Sequence, residues 1–224
     1  MIPIFCINLE RATERKELIS KKWIDELGLD IIFWKAYDRR DIERNIYPYP
    51  YNKDLTINNL KRELSSGEIA CSTSFCKLYE HILDNNFEEA IIMEDDIFPL
   101  IKNKQELFET IIEGKKEYSE SNFMILHRKK NLIKTQKIIS QKKYFSEINP
   151  VPWGNMLIYL DKTAIKKTYE ILKQMICPAD NAQRILSDKK ELNVIVVNDS
   201  LCRHDTDNTY IGNDFRNSHR NFIK

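Results

Sequence analysis

The sequence predicts an α/β fold: a sheet flanked by helices. Three observations carry that reading. Short apolar runs of strand length recur along the chain, near 2–8, 31–37, 90–94, 123–126, 156–160 and 194–197. Stretches between them repeat their apolar residues at helical spacing. The order also opens strand, helix, strand, as a nucleotide-binding type of α/β sheet does.

Ile2 to Asn8 is apolar and is stopped by polar residues, the pattern of a buried strand. From Arg11 to Leu27, residues Leu18, Ile19, Trp23 and Leu27 recur at helical spacing, and Gly28 supplies a stop. Ile31 to Tyr37 is a second, partly aromatic strand, and the polar stretch 38–59, with Pro48 and Pro50, reads as an irregular excursion. Ser65 or Ser66 caps a helix from Gly67 to Asn85, with Glu68 near its start and Ile69, Phe75, Leu78, Ile82 and Leu83 as its apolar face. Ala90 to Glu94 is the third strand, followed by a helix near Gln105 to Tyr118 and a strand at Phe123 to Leu126. Asn131 to Lys143, rich in Lys and Gln, reads as a surface hairpin or mobile loop. Met156 to Leu160 is a strand, Lys162 to Gln174 a helix, and Pro178 with Asp180 opens a further short helix. Val194 to Val197 then closes the sheet, and a polar, slightly basic tail runs from Asp205.

At 224 residues the chain is long enough for one sizeable core, and 42% hydrophobic with 31% charged residues is a globular balance. A net charge of +1 argues against a nucleic-acid partner. There are only 5 glycines and no GxGxxG or GxxxxGK[ST], so a Gly-rich phosphate loop is excluded. The 5 cysteines include no CxxC pair, which gives no zinc signature and no disulfide framework and fits a reducing cytosol. The start, MIPIFCINLERATERK, has no basic residues before its apolar run and no small-residue cleavage site after it, so it reads as a strand rather than a signal peptide. No stretch reaches the ~20 apolar residues of a membrane span. The expectation is a soluble, cytoplasmic chain. Its basic, aromatic end (Arg216, Arg220, Phe222) is either a peripheral contact with an anionic inner-membrane surface or a frayed tail.

The chemistry is concentrated in AIIMEDDIFPL, where Glu94, Asp95 and Asp96 follow an apolar run. Neighbouring carboxylates repel unless a cation compensates them, and the carboxyl end of a strand is where α/β sheets bind ligands. Alternation along an extended strand end would point Glu94 and Asp96 one way and Asp95 the other. A Glu-x-Asp pair facing one cleft would then grip a metal-bound diphosphate and a ribose. Taken alone, the same acids also read as three solvated side chains in a loop.

The surrounding motifs narrow the choice. Asn8-Leu9-Glu10-Arg11 followed by Arg15, Phe33-Trp34-Lys35-Ala36-Tyr37-Asp38, and Leu64-Ser65-Ser66-Gly67-Glu68-Ile69-Ala70-Cys71-Ser72-Thr73-Ser74 precede the acids. Trp153-Gly154 and Cys177-Pro178-Ala179-Asp180 follow them. In this order, over roughly residues 2 to 204, the chain resembles glycosyltransferase family 25 of bacterial lipooligosaccharide biosynthesis, to which collagen galactosyltransferase domains are also related. It departs at Ala70, where the family has Gly, and at Phe75, where the family has His.

The resemblance implies a GT-A type, Rossmann-like mixed sheet and transfer of a sugar, often galactose, from a UDP-sugar with inversion. It implies a single domain over 1–224, with donor binding in 1–100 and acceptor binding in 120–204. It assigns Asp96 as principal ligand of Mn²⁺ or Mg²⁺, with Glu94 on the ribose or a metal-bound water and His204 as a further ligand. Asn8, Leu9, Arg11, Arg15, Ala36, Asp38, Glu68, Ser74 and Asp95 become donor-side residues, and Trp153 and Gly154 acceptor-side ones. Asp180 becomes the base that takes the acceptor proton. Plainer readings stand beside these: Arg15 on an exposed charged helix, Asp180 as a helix cap, Trp153 in the core and His204 as a merely exposed side chain. His81 and His127 read as structural, and Cys71 and Cys76 as small buried hydrophobes. A metal-dependent nucleotidyltransferase and a binding-only relative that has lost turnover are the alternative functions. Acceptor identity and oligomeric state stay open.

Overall fold

The computed structural model describes residues 2–44, 48–128 and 136–204. The basic tail with Arg216, Arg220 and Phe222, and the start of the Lys/Gln-rich segment at 131–135, lie outside the described residues.

The chain opens as its periodicity predicts. β1 (Ile4–Asn8) is buried throughout, and α1 (Thr13–Ile19) continues as a π-helical stretch to Asp25. Gly28, at φ +70°, makes the left-handed reversal into β2 (Ile31–Lys35) that a side chain would strain. The stretch 38–59 is more ordered than its composition indicates. It holds α2 (Arg39–Glu43), capped by the Asp38 side chain accepting from the Arg40 amide, and α3 (Lys53–Leu60), capped by Asn52 accepting from Leu55. α4 (Ser66–Asp84) begins with a full capping box, in which Ser65 and Glu68 satisfy each other's backbone amides.

β3 (Glu89–Glu94) and β4 (Ile97–Pro99) flank a tight turn at Asp95 and Asp96. α5 (Lys104–Glu117), β5 (Phe123–Ile125), β6 (Lys137–Gln141), β7 (Phe145–Asn149) and β8 (Leu157–Asp161) follow. The described chain ends with α6 (Lys162–Leu172), α7 (Ala179–Asp188), β9 (Val194–Val197) and β10 (Cys202–His204).

The main sheet has 8 strands in the order β2-β1-β3-β8-β5-β9-β7-β6. It is mixed: β2, β1 and β3 are parallel, β8 runs against β3 and β5, and β9 is parallel to β5. β9 therefore does not close the sheet. Beyond it lies the β7–β6 hairpin, whose short, half-polar strands lack an apolar run to announce them.

Alternation along the strands sends side chains to two cores. Phe5, Ile7, Ile92 and Ile125 pack with Phe75, Leu78 and Tyr79 of α4 and with α6 and α7 on one face. Ile4, Cys6, Ile91, Met93 and Met124 pack with Ile19 and Trp23 of the first helix and with Leu107 and Ile111 of α5 on the other. Each fully buried Phe or Leu contributes roughly 1.5–3 kcal/mol. This mixed sheet covered on both faces by helices is a Rossmann-like arrangement.

Two placements position the site. The register Asn8 to Lys35 and Ile7 to Glu94 brings the carboxyl ends of β1, β2 and β3 to one edge. A separate two-stranded pairing of β10 with β4 sets His204 opposite Ile97, next to Asp96. The buried Trp23 indole donates to the Ile97 carbonyl at 3.2 Å and ties the first helix to the same spot.

Candidate active site

The three acids do not share one fate. Asp95 has both oxygens taken: Asn8 Nδ2 donates to Oδ2 at 2.8 Å and Arg15 Nη1 donates to Oδ1 at 2.8 Å. Asp96 Oδ2 lies 3.5 Å from Arg15 Nη1 and 3.2 Å from His204 Nε2, while its buried Oδ1 has no hydrogen-bond partner. Glu94, the last residue of β3, makes no side-chain hydrogen bond or ion pair among the described residues. The alternation expected for Glu94, Asp95 and Asp96 fails because the strand stops at Glu94. The turn that follows lets Asp95 and Asp96 meet the same guanidinium.

Arg15 is not on an exposed helix face. Its side chain is only 12% exposed and supplies part of the positive charge that the acids need. Burial nevertheless raises the Asp95 carboxyl above its ordinary value, against the lowering by Arg15 and Asn8. Burial raises Glu94 well above the ordinary glutamate range, and the charges of Asp96, Asp180 and Asp95 push it further, offset in part by Arg15. The charged form of Glu94 is therefore disfavoured until another positive charge arrives.

This has a measurable consequence. A carboxyl raised in the folded state contributes stability that is full below its unfolded value, near 4.5, and is lost as pH climbs through the folded value. Glutamine mimics the protonated acid at every pH. In chelator, Glu94→Gln should melt above the wild type at pH 8 and together with it near pH 4. Equal melting at pH 8 would refute the assignment.

The acids open into a cavity of about 110 Å³ lined by Leu9, Arg11, Arg15, Ala36, Tyr37, Arg39, Gly67, Ser74, Phe75, Glu94, Asp95 and Asp96 among others. Leu9, Arg11 and Ala36 also line an adjoining polar cavity of about 520 Å³ with Glu10, Lys35, Asp38, Arg40, Asp41 and Arg44. Asp38 works there as a holder: it accepts from Arg11 Nε at 2.6 Å and Arg40 Nη2 at 2.8 Å. Ser74 accepts from the Tyr37 amide at 2.8 Å and donates to the Ala70 carbonyl at 2.7 Å, fastening the exit of β2 to α4. Phe75, 1% exposed, gives an apolar wall where the resemblance expects an imidazole. Cys71 shares the lining, and burial followed by the Glu94 charge pushes its thiol up, away from nucleophile chemistry.

Glu68 is outside this lining. Its carboxylate is held by Arg62 at 2.6 and 2.8 Å and caps the Ser65 amide at 2.8 Å, a structural assignment. Asp180 is not the helix cap that its sequence neighbours indicate: Pro178 occupies that position and Asp180 sits in the first turn of α7. Its charge reaches Glu94, Cys71 and Arg62, which places the start of α7 across from the carboxylates. Trp153 is 41% exposed rather than buried in the core, with the Arg184 guanidinium 5.0 Å over its ring. Gly154, at φ +104°, has its carbonyl 3.2 Å from His127 Nε2. His127 is buried and His81 stacks on Trp34, as the structural reading of both had it.

A divalent cation suits these donors. Asp96 keeps one buried oxygen without a partner, and His204 Nε2 lies 3.2 Å from its other oxygen. Among the described residues no group of three or more His, Cys, Asp or Glu side chains is drawn together to hold a metal. The chain would thus provide a carboxylate or two, and substrate phosphate and water the remainder, as hard cations are commonly held.

The residues missed by sequence reasoning are Tyr37, Arg39 and Gly67 in the lining and Arg184 over Trp153. Tyr37 and Gly67 stood inside the motifs quoted above, and Arg184 lies one helical turn after Asp180.

Comparison with known proteins identifies the family. The family described as glycosyltransferase family 25 (LPS biosynthesis protein) matches residues 1–183. A "Glycosyltransferase 25 family member" of Aedes aegypti is 36% identical over 105 residues, which is 42% of this chain and 16% of that protein. Proteins of the same name from Anopheles gambiae and Drosophila melanogaster are 34% identical over 103 residues and 30% over 105, each again covering 42% of this chain and 16% of the relative. The match thus spans well under two thirds of the relatives' own length. The strand-end acids, the Arg-bearing first helix and the α7 aspartate all lie inside the matched residues. The chain belongs to glycosyltransferase family 25.

Proposed function

We propose that this chain transfers a sugar, with galactose as the first expectation, from a UDP-sugar to a hydroxyl of a glycan or lipid-linked glycan acceptor, with inversion. The observation that carries the reading is the convergence in one cavity of Glu94, Asp96 and the two arginines of the β1–α1 region, with the charge of Asp180 acting on Glu94 from outside the lining. Family membership supports the reaction class, and the family's description supports a surface glycan as product.

Each residue then has a task. Arg11, fixed by Asp38, and Arg15, fixed by Asp95, present positive charge to a diphosphate at the strand ends. Asp96, with Glu94 and His204 beside it, would hold Mn²⁺ or Mg²⁺, which stabilises charge on the departing diphosphate as a Lewis acid. Glu94 hydrogen-bonds a ribose hydroxyl or a metal-bound water. Asp180 takes the proton of the acceptor hydroxyl onto a carboxylate oxygen as that oxygen attacks the anomeric carbon. Among the described residues no helix is long and apolar enough to cross a membrane. A lipid-linked acceptor would, in this reading, be met by peripheral contact with the cytoplasmic membrane face.

The test is UDP release from a panel of UDP-sugars, with Mn²⁺, with Mg²⁺ and with chelator, alongside UDP binding by calorimetry. Metal-dependent release from one sugar is the expected result. Phe75 in the cavity wall favours one second reading, a chain that binds donor without turnover. UDP binding with no release from any sugar, even with glycan acceptors added, would establish that reading instead. Failure to bind UDP would overturn both.

A further inference from the structure

We infer that Trp153 and Arg184 form an acceptor subsite selective for a saccharide carrying a carboxylate or phosphate next to its reacting residue. The inference rests on the sugar-transfer reading and specifies the acceptor that reading leaves open.

The subsite is built rather than incidental. Asn155 and Gln183 are both buried, and Gln183 Nε2 donates to Asn155 Oδ1 at 2.9 Å, which locks the loop before β8 onto α7. The Gly154 carbonyl is held by His127 at 3.2 Å. The same loop runs beside the strand that carries the acids, because the Glu94 backbone amide donates to the Met156 carbonyl at 2.9 Å. Trp153 is thus fixed three residues from a backbone contact with Glu94 and stays 41% exposed, an aromatic face open to a sugar.

Arg184 supplies the selectivity. It lies one turn beyond Asp180 on α7, so both point to one side of the helix. Its guanidinium stacks over Trp153 at 5.0 Å and makes no hydrogen bond or ion pair among the described residues. Stacking pre-orders the planar fork while leaving its N–H groups unspent, an arrangement suited to bidentate capture of a carboxylate or phosphate. The carboxylates of Asp96 and Asp180 would repel such a group, and a cation beside them would offset that repulsion.

The test follows Trp153 emission while methyl β-D-glucuronide, glucose 6-phosphate or methyl β-D-glucoside is titrated. Trp23 is fully buried, and Trp153→Phe identifies the responding signal. At least one anionic sugar should half-saturate at a concentration tenfold or more below the neutral glucoside, and which one does so separates carboxylate from phosphate. Arg184→Gln should erase the difference and Arg184→Lys should retain part of it. Equal responses to all three sugars, no response to any, or a preference that survives in Arg184→Gln would overturn the subsite. UDP calorimetry on the same samples separates the failures: intact UDP binding confines the error to the acceptor side, whereas lost UDP binding in the wild type strikes the donor reading.

Discussion

Asp96→Asn should lose turnover by roughly 10²–10³-fold, the usual cost of removing one group that stabilises charge developing in a transition state. It should do so without losing the fold. The substitution keeps the shape and removes a negative charge from a cluster already overloaded with them. Asp96 is the largest charge pushing the Glu94 carboxyl up after burial itself, and Arg15 keeps its 2.8 Å partner in Asp95. The melting temperature should therefore hold or rise while sugar release falls, the opposed response expected where a site is built for chemistry at the expense of stability. Rate and melting are measured on one preparation, with Mn²⁺ and with chelator. Turnover within threefold of wild type would remove Asp96 from the mechanism. A loss of turnover accompanied by a large fall in melting temperature would make it a structural residue instead.

How far this site was legible depended on whether local pattern or tertiary contact places each residue. β1, α4 and β3 carry their own signals: unbroken apolar runs for the strands, and a Ser-x-x-Glu box ahead of an apolar face for the helix. The strand end at Glu94 was therefore readable, and with it the cluster of acids. The division of labour among them was not. It depends on a turn after Glu94 and on partners 80 and 87 residues away in sequence, Arg15 and Asn8. His204 reaches Asp96 only through the pairing of two three-residue strands, too short to leave a periodicity.

Two of the plainer alternative readings failed for local reasons. Charge made Arg15 look solvated, although it stands four residues before the fully buried Ile19 and so on the same helical face. Asp180 looked like a cap because aspartate usually caps helices, but a proline already held that position. α2 and α3 were read as an irregular excursion because helices of 5 and 8 residues bury too little to show an apolar stripe.

Arg15→Met gives the largest expected loss of stability. The Arg15 and Asp95 side chains are 12% and 10% exposed, and removing one partner of a buried pair costs about 3–5 kcal/mol because the other charge is stranded. In a chain of this size that is a fall in melting temperature of roughly 6–20 °C. Asn8 cannot make up the loss, since it already donates to Asp95 Oδ2 and burial still raises that carboxyl. The companion substitution separates stranded charge from lost packing. Asp95→Asn removes the charge yet keeps an oxygen for Asn8, so the Arg15→Met, Asp95→Asn double variant should recover a substantial part of the lost stability. Arg15→Lys should fall between, because an ammonium keeps a charge near the position of Nη1, the nitrogen that both Asp95 and Asp96 contact, but loses the planar guanidinium that holds it there. A double variant no more stable than Arg15→Met alone would mean that Arg15 acts through the packing of its long side chain. The acids would then owe their tolerance to the ligand that the cavity takes up, and not to the cation that the first helix brings to it.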